Sequence, residues 1–147
     1  MLIDELKNIA RNNGIVGAGG AGFPAYAKMT EKADTVILNC VECEPLLKLH
    51  RQLLATHTEE IIQMLDEVRE SFGAKEAVIG IKSEYVTTIK AIEEVIGDFP
   101  NVRICALKAA YPMGDEVVLI YEATGRVIKP GGLPIDENVV VYNVETM

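Results

Sequence analysis

The sequence predicts an α/β fold in which a mostly parallel sheet of about four strands is flanked by helices. Two observations predict this architecture. Short apolar runs rich in β-branched residues alternate along the chain with longer segments that carry apolar residues at helical spacing. The chain has 147 residues, 49% of them hydrophobic and 24% charged, which is enough for one globular domain with a buried core.

The predicted elements follow one another in a regular order. The predicted helices cover residues 3–13, 45–54, 56–72, 84–96 and 115–124. The predicted strands cover residues 35–40, 76–82, 102–107 and 138–143. Thr56 and Glu59 have the spacing of a capping box, which predicts that the third helix begins at Thr56. Because glycine is common just after a helix, four glycines are predicted to end helices: Gly14, Gly73, Gly97 and Gly125.

Charge and apolar content exclude several classes of protein. There are 22 Asp and Glu against 14 Lys and Arg, a formal net charge of −8, and no basic stretch. A nucleic-acid-binding protein needs Lys or Arg to neutralise phosphates, so no nucleic-acid partner is expected. Uninterrupted apolar runs reach only five or six residues, against roughly 20 for a membrane helix, so no direct membrane insertion is expected. The first residues, MLIDE, do not have the pattern of a signal peptide, and the number of cysteines is odd, which together predict a cytoplasmic protein.

A glycine-rich loop follows the first predicted helix. It holds four glycines in six residues, Gly17, Gly19, Gly20 and Gly22, and continues into Phe23. Such a loop lets a ligand approach the backbone closely, and its consecutive N–H groups can bind an anion. A helix rather than a strand precedes it, which differs from the usual dinucleotide fingerprint. The loop therefore indicates either a ligand site beside an aromatic side chain or a tightly packed turn.

The segment NCVECEP, residues 39–45, lies at the end of the first predicted strand. Cys40 and Cys43 form a C-x-x-C pair, which is typical of thiol redox sites, but acidic neighbours disfavour thiolates. Small buried side chains are the alternative for both cysteines. No metal site is predicted, because the chain offers no second pair of ligands. Glu42 and Glu44 are placed to accept hydrogen bonds from a ligand, or else are solvated charges of a turn.

Polar residues also follow two later strands of the predicted sheet. The segment YPMGDE contains Gly114, which allows close approach, and Asp115 and Glu116, which are suited to the start of the next helix. The segment NVET, residues 143–146, follows the last strand. Ligands of open α/β sheets bind at the carboxyl ends of the strands, so these loops and the glycine-rich loop are predicted to converge on one site.

Four motifs in this order, GAGGAGFP, NxxECEP, YPxGDE and NVET, resemble the FMN-binding domain of the flavoprotein subunit of respiratory complex I and its relatives. The relatives include the C subunit of the Rnf electron-transport complex and the cobalamin-reductase and proline-reductase-associated electron-transfer proteins, the branch that this chain resembles most. The resemblance covers residues 14–146. It implies a Rossmann-like domain that binds FMN, accepts hydride from NADH and passes electrons to an iron–sulfur partner.

The resemblance also implies roles for individual residues. The residues implied to line the flavin are Gly17, Gly19, Gly20, Gly22, Lys28, Asn39, Glu42, Tyr111, Gly114, Asn143 and Thr146. The residues implied to meet NADH are Phe23, Glu44, Asp115 and Glu116. No side chain is expected to act as a nucleophile or other catalytic group, because the cofactor carries the chemistry.

The resemblance finally implies a longer protein, in which residues 1–147 form the FMN- and NADH-binding domain. A ubiquitin-like segment and iron–sulfur ligands are expected in a C-terminal region, so the electron acceptor is either another protein or a further domain of the same chain. Two alternatives stay open. Ala18 and Val41 stand where the complex I form has Arg and Asp, which favours a docking module without cofactor. The C-x-x-C pair is the basis for the other alternative, a thiol oxidoreductase.

Overall fold

The computed structural model describes residues 1–18, 21–44 and 46–147. The helices are α1 (Ile3–Asn12), α2 (Ala25–Lys28), α3 (Leu49–Thr56), α4 (Thr58–Phe72), α5 (Val86–Val95) and α6 (Glu116–Thr124). The strands are β1 (Thr35–Cys40), β2 (Glu76–Lys82), β3 (Val102–Leu107) and β4 (Val139–Asn143). Single 3-10 turns cover Ile96–Asp98, Pro134–Glu137 and Val144–Thr146. The predicted α/β class is confirmed.

The four strands form one parallel sheet in the order β3-β2-β1-β4. In register, Ile37 of β1 lies opposite Val78 of β2 on one side and Val141 of β4 on the other. The chain moves outward from β1 to β2 and β3, and then returns to the opposite side of β1 for β4. The strand order therefore reverses between β1 and β4, and the carboxyl ends of these two strands form the topological switch point of the sheet.

Each face of the sheet has its own apolar core. Successive side chains of a strand point to opposite faces, and in β1 Leu38 packs into one cluster while Ile37 packs into the other. The larger cluster includes Ile62 and Leu65 of α4, both fully buried. The smaller cluster is covered by α6 through Leu119. Packing on both faces explains why all six residues of β1 are buried.

Two predicted helix starts are wrong, and both concern the segment after β1. The helix predicted over 45–54 begins at Leu49 instead, and Pro45 lies outside the described residues. The predicted capping box at Thr56 does not form, because the Thr56 hydroxyl donates to the Gln52 carbonyl oxygen at 2.8 Å and Thr56 belongs to the end of α3. His57, with φ −120°, separates α3 from α4.

Most helix ends agree with the predicted glycine positions. Gly73 and Gly125 adopt left-handed conformations (φ 68° and 74°) directly after α4 and α6, and Gly14 has φ 64° just after α1. Gly97 does not end a helix, because α5 stops at Val95 and Gly97 lies within the following 3-10 turn. None of the helices in the described ranges combines the length and the apolar composition that crossing a membrane requires.

Gly80 of β2 lies where α6 crosses the sheet. A Cβ at this position would come 2.5 Å from Leu119 Cδ1, and Leu119 is fully buried, so it has little room to move. We expect Gly80→Ala to lower the free energy of unfolding by about 1–3 kcal/mol, measured by chemical denaturation. Gly97→Ala is the control, because a Cβ there meets nothing within 4 Å. Equal stability of the two variants would contradict the close approach of α6 to β2.

Candidate functional site at the switch point

A cavity of about 550 Å³ opens at the carboxyl ends of β1 and β4, and is called here the switch-point cavity. Its walls come from four segments that are far apart in sequence, namely residues 17–28, 39–50, 114–116 and 141–146. Its lining residues are Gly17, Phe23, Ala25, Lys28, Asn39, Val41, Glu42, Cys43, Glu44, Leu47, Leu49, His50, Gly114, Glu116, Val141, Tyr142, Asn143, Glu145 and Thr146. The cavity lies where an open α/β sheet binds its ligand.

The glycine-rich loop is closed at its base by an antiparallel bridge between Val16 and Pro24. The Gly17 N–H donates to the Phe23 carbonyl oxygen at 2.8 Å, and the Ala25 N–H donates to the Ile15 carbonyl oxygen at 3.0 Å. These bonds hold the two arms of the loop together beside the cavity. Gly19 and Gly20, both predicted to line the flavin, lie outside the described residues.

The turn after β4 anchors this loop. Asn143 Nδ2 donates to the Ala18 carbonyl oxygen at 3.1 Å, and the Ala18 N–H donates to Thr146 Oγ1 at 3.2 Å. Two predicted ligand-binding residues therefore fix one cavity wall to another. Both also line the cavity.

The loop after β1 is tied to the loop before α6. Asn39 Oδ1 accepts the Val41 N–H at 2.9 Å, and Asn39 Nδ2 donates to the Gly114 carbonyl oxygen at 3.2 Å. The Gly114 N–H donates in turn to Cys43 Sγ at 3.2 Å. A Cβ on Gly114 would overlap the Val41 carbonyl oxygen and would lie 2.6 Å from Cys43 Sγ. Only glycine fits there, because the nearest obstacle is backbone.

Glu42 is a buried carboxylate, 6% exposed, in the wall of the cavity. Its Oε1 accepts the His50 N–H at 3.0 Å, and its carbonyl oxygen accepts a hydrogen bond from Lys82 Nζ at 2.7 Å. Its other carboxylate oxygen, Oε2, is buried without a hydrogen-bond partner among the described residues. A buried carboxylate oxygen without a donor is costly, so a ligand N–H or O–H group would be bound favourably at this wall.

Lys28 and Glu116 lie on the side of the cavity nearer the free edge of β4. Lys28 Nζ donates to the Val141 carbonyl oxygen at 3.3 Å and lies 5.9 Å from the centre of the Tyr142 ring. Burial raises the pKa of the Glu116 carboxyl, Lys28 lowers it in part, and Asp115 adds to the rise. The Glu116 carboxyl therefore accepts a proton more readily than an ordinary glutamate does.

A second groove, of about 470 Å³, runs along the free edge of β4 and is called here the edge groove. It shares Phe23, Lys28, Glu116 and Val141 with the switch-point cavity. Much of the rest of its lining is apolar, including the exposed side chain of Leu133. A ligand with two ring systems could thus extend from one space into the other.

Ten of the predicted site residues line the switch-point cavity: Gly17, Phe23, Lys28, Asn39, Glu42, Glu44, Gly114, Glu116, Asn143 and Thr146. Gly22, Tyr111 and Asp115 are not part of its lining. Tyr111 is 85% exposed, and the Asp115 carboxylate accepts the N–H groups of Val117 and Val118 as the N-cap of α6. The assignment of flavin and NADH roles to these residues stays a prediction.

Sequence reasoning missed two polar residues of the cavity, His50 and Glu145. His50 Nε2 lies 3.1 Å from Glu145 Oε1, so the pair connects α3 to the 3-10 turn after β4. Glu145 stands within the NVET motif and could have been found there. His50 gave no signal, because the sequence does not show which residues of this helix face the cavity.

The two cysteines of the C-x-x-C pair differ strongly in environment. Cys40 is fully buried in β1, and Cys43 is partly exposed in the cavity wall. Burial, reinforced by the charge of Glu42, raises the pKa of the Cys40 thiol to about 12. The thiolate that redox exchange needs is therefore scarce at Cys40.

Comparisons with known proteins give relatives over nearly the whole chain. The chain is 39% identical over 142 residues to the cobalamin reductase PduS of Citrobacter freundii, covering 97% of this chain and 31% of that protein. It is 37% identical over 147 residues to the C subunit of the Na⁺-translocating ferredoxin:NAD⁺ oxidoreductase complex of Acetobacterium woodii. This match covers 97% of this chain and 33% of that protein. The chain thus spans about a third of the length of these relatives.

A solved structure has the same fold. The crystal structure of an NAD⁺-reducing [NiFe]-hydrogenase in the H₂-reduced state contains a region similar to this chain with a TM-score of 0.79 and 25% identity. The likeness covers 98% of this chain and 29% of that one. This extent of structural agreement supports the parallel sheet and its flanking helices as a shared architecture.

The environment of Cys40 leads to a labelling prediction. In the folded protein at pH 8 we expect iodoacetamide to leave Cys40 unmodified, because its pKa of about 12 and its burial keep it protonated and inaccessible. In denaturant, all three cysteines should react. Mass spectrometry of the digested protein measures the modification of each cysteine. A Cys40–Cys43 disulfide, or labelling of Cys40 as fast as Cys43, would instead support the thiol oxidoreductase alternative.

The family comparison is consistent with the order of motifs and with the fold. The family described as the Nuo51 FMN-binding domain matches residues 10–147, which include the glycine-rich loop and all three polar loops. The resemblance inferred from the four motifs is confirmed, including its extension to cobalamin reductase and to the C subunit of ion-translocating complexes. The chain belongs to the family of FMN-binding domains that is found in the flavoprotein subunit of complex I and its relatives.

Proposed function

We propose that this chain binds FMN in the switch-point cavity and serves as the flavin domain of an electron-transfer oxidoreductase that takes hydride from NADH. The observation that carries the proposal is the buried Glu42 carboxylate, whose Oε2 lacks a donor among the described residues in a cavity of about 550 Å³ at the switch point. That volume lies within the range of cofactor sites, roughly 300–1,000 Å³. Family membership supports FMN as the ligand.

The glycine-rich loop is the part of the chain to which we assign the FMN phosphate. The N–H groups of Gly17 and Ala18 are already engaged, with the Phe23 carbonyl oxygen and Thr146 Oγ1 respectively. We therefore assign the phosphate to residues 19–22, because three of these four residues are glycines. Consecutive backbone N–H groups can bind an anion without a basic side chain.

The remaining residues of the cavity position the ligand and exclude water. Asn39, Gly114 and Cys43 fix the loops on either side of the carboxyl end of β1. Glu42 accepts a hydrogen bond from the ligand, and Lys28 brings a positive charge to the wall next to Val141. Bound FMN would supply hydride acceptance and the release of single electrons, so no side chain of this chain needs to act as a nucleophile.

We assign NADH to the region where the edge groove joins the switch-point cavity. Phe23, half exposed, offers a ring face at this junction, and Glu116 offers a carboxyl group there. Hydride transfer requires the donor and acceptor rings to be held face to face, and an acidic group that orients the nicotinamide amide would help to hold them. The solved neighbour, an NAD⁺-reducing hydrogenase, supports a nicotinamide nucleotide as the redox partner of the flavin, and we assign NADH as the electron donor.

We further propose that electrons leave this domain to an iron–sulfur partner, as another protein or a further domain of the same chain. The relatives are about three times as long as this chain, which supports residues 1–147 as the FMN- and NADH-binding domain of a larger protein. One relative belongs to a multi-subunit ion-translocating complex, which supports a protein partner. We propose the cytoplasm as the place of action, because three cysteines, an odd number, suit a reducing compartment.

An FMN titration followed by flavin fluorescence tests the proposal. We expect saturable binding of FMN and weaker binding of riboflavin, because riboflavin lacks the phosphate. Glu42→Gln keeps an acceptor for the His50 N–H but puts an amide N–H₂ where Oε2 was, so the affinity for FMN should fall by about 10- to 100-fold.

Glu84→Gln is the matched control, because Glu84 is exposed and does not line the cavity. This variant should bind FMN as the unsubstituted chain does. If the unsubstituted chain gives no fluorescence change with FMN, the proposal is wrong and the docking-module alternative gains support.

The edge groove leads to a prediction about NADH. Leu133→Asp places a charge in this groove but not in the switch-point cavity. We expect it to raise the NADH concentration that half-reduces bound FMN by roughly 10-fold, because the charge disfavours an apolar contact and repels the phosphates of NADH. The dissociation constant for FMN should stay unchanged.

Stopped-flow absorbance of the flavin measures the reduction. Val127→Asp is the control, since Val127 is similarly exposed and lines neither space. An unchanged NADH dependence for Leu133→Asp would exclude the edge groove as part of the NADH site.

A further inference from the structure

Two side-chain atoms stand out among the described residues because they are buried without a hydrogen-bond partner. They are Glu42 Oε2 and His50 Nδ1. Both side chains line the switch-point cavity. Buried polar atoms are nearly always paired in folded proteins, and an unpaired one points to a missing water or ligand. That both of these atoms belong to the same cavity wall favours a ligand.

The contact with Glu145 determines whether His50 Nδ1 can donate or accept a hydrogen bond. His50 Nε2 lies 3.1 Å from Glu145 Oε1, and an ionised carboxylate can only accept a hydrogen bond. The ring proton of a neutral His50 is therefore assigned to Nε2, and Nδ1 carries a lone pair. In that tautomer, His50 Nδ1 and Glu42 Oε2 are both acceptors, and neither has a donor among the described residues.

Hydrogen bonds connect the two residues that carry these acceptors. The backbone N–H of His50 donates to Glu42 Oε1 at 3.0 Å, and the His50 ring is held from the opposite side by the 3-10 turn after β4. Glu42 is held through its own carbonyl oxygen by Lys82. The two unpaired acceptors are therefore linked through the hydrogen bond between the His50 N–H and Glu42 Oε1, on side chains that both line the switch-point cavity.

Neighbouring acceptors select the kind of ligand group that they bind. The polar edge of a flavin ring alternates carbonyl, N–H and carbonyl, so two adjacent acceptors would bring one of them against a carbonyl oxygen. A polyol offers O–H donors on successive carbons and suits two acceptors. We propose that His50 is a ligand-binding residue whose Nδ1, beside Glu42, accepts a hydrogen bond from one of two neighbouring hydroxyl groups of the ligand.

This inference rests on the proposed function, which offers two sources of such hydroxyls. One is the ribityl chain of FMN, and the other is a ribose of NADH. Lumiflavin has the flavin ring with a methyl group in place of the ribityl chain. A comparison of FMN, riboflavin, lumiflavin and NADH therefore distinguishes the two sources.

Two substitutions distinguish the roles of the two ring nitrogen atoms of His50. His50→Gln places an amide N–H near the position of Nε2 and keeps a donor for Glu145, but loses the acceptor at Nδ1. His50→Asn places an amide oxygen near the position of Nδ1 and loses the contact with Glu145. His57→Gln is the control, because His57 is exposed and lies outside the cavity.

The experiment measures dissociation constants by flavin fluorescence and the Tm of each ligand-free variant. We expect His50→Gln to weaken FMN and riboflavin binding by about 3- to 10-fold with Tm and lumiflavin binding unchanged. His50→Asn should bind FMN within about twofold of the unsubstituted chain, even where its Tm is lower. If the hydroxyls are those of NADH, FMN binding is unchanged and His50→Gln raises the NADH concentration for half-reduction by the same factor.

Several outcomes would overturn the inference. Unchanged binding of every ligand by His50→Gln would mean that Nδ1 does not contact one. A loss of FMN binding in His50→Asn but not in His50→Gln would assign His50 a structural role through Glu145 instead. In both cases FMN binding by the unsubstituted chain leaves the proposed function intact, whereas failure of that chain to bind FMN would contradict the proposed function and this inference together.

Discussion

The burial of β1 is the constraint on which the rest of the structure depends. All six residues of this strand are buried, and β2 and β4 pair with its two edges. A strand enclosed in this way ends inside the protein, so the first two residues after it, Val41 and Glu42, are buried as well. Glu42 is the clearest case, because burial of a carboxylate is costly unless donors are supplied. The His50 N–H supplies one donor, to Oε1. The other oxygen, Oε2, has no donor among the described residues, so a ligand N–H or O–H group would stabilise it.

The polar motifs form one site because hydrogen bonds join their residues across the cavity. Asn39 and Cys43 hold the backbone of Gly114, Asn143 and Thr146 hold the backbone of Ala18, and His50 joins Glu42 to Glu145. Each loop of the cavity thus depends on a side chain from a different loop. Walls held in this way lose little conformational entropy when a ligand binds, which favours binding of a cofactor. A change in one motif would disturb another that is distant in sequence.

The strands could be predicted from sequence because their signal is local. Residues 35–40, 76–82 and 102–107 are short apolar runs ended by polar residues, and they have the same bounds in the sequence prediction and in the structure. The segments of the site could also be predicted, because ligands bind where strand ends meet. The contacts of each side chain could not, since they depend on how loops approach one another. His50 lies in the cavity wall, where it contacts Glu42 and Glu145, and the local sequence does not determine these contacts.

The charged side chains of the switch-point cavity limit the orientation that a bound FMN molecule could have. The walls carry the carboxylates of Glu42, Glu44, Glu116 and Glu145. These carboxylates would repel a phosphate group next to them, whereas Lys28, in the same lining, would attract one. The glycine-rich loop is the part of the lining without an acidic side chain, and it offers backbone N–H groups. Under the proposed function, these charges therefore favour an orientation of FMN with its phosphate toward the segment that carries the glycine-rich loop and Lys28, and away from the carboxylates.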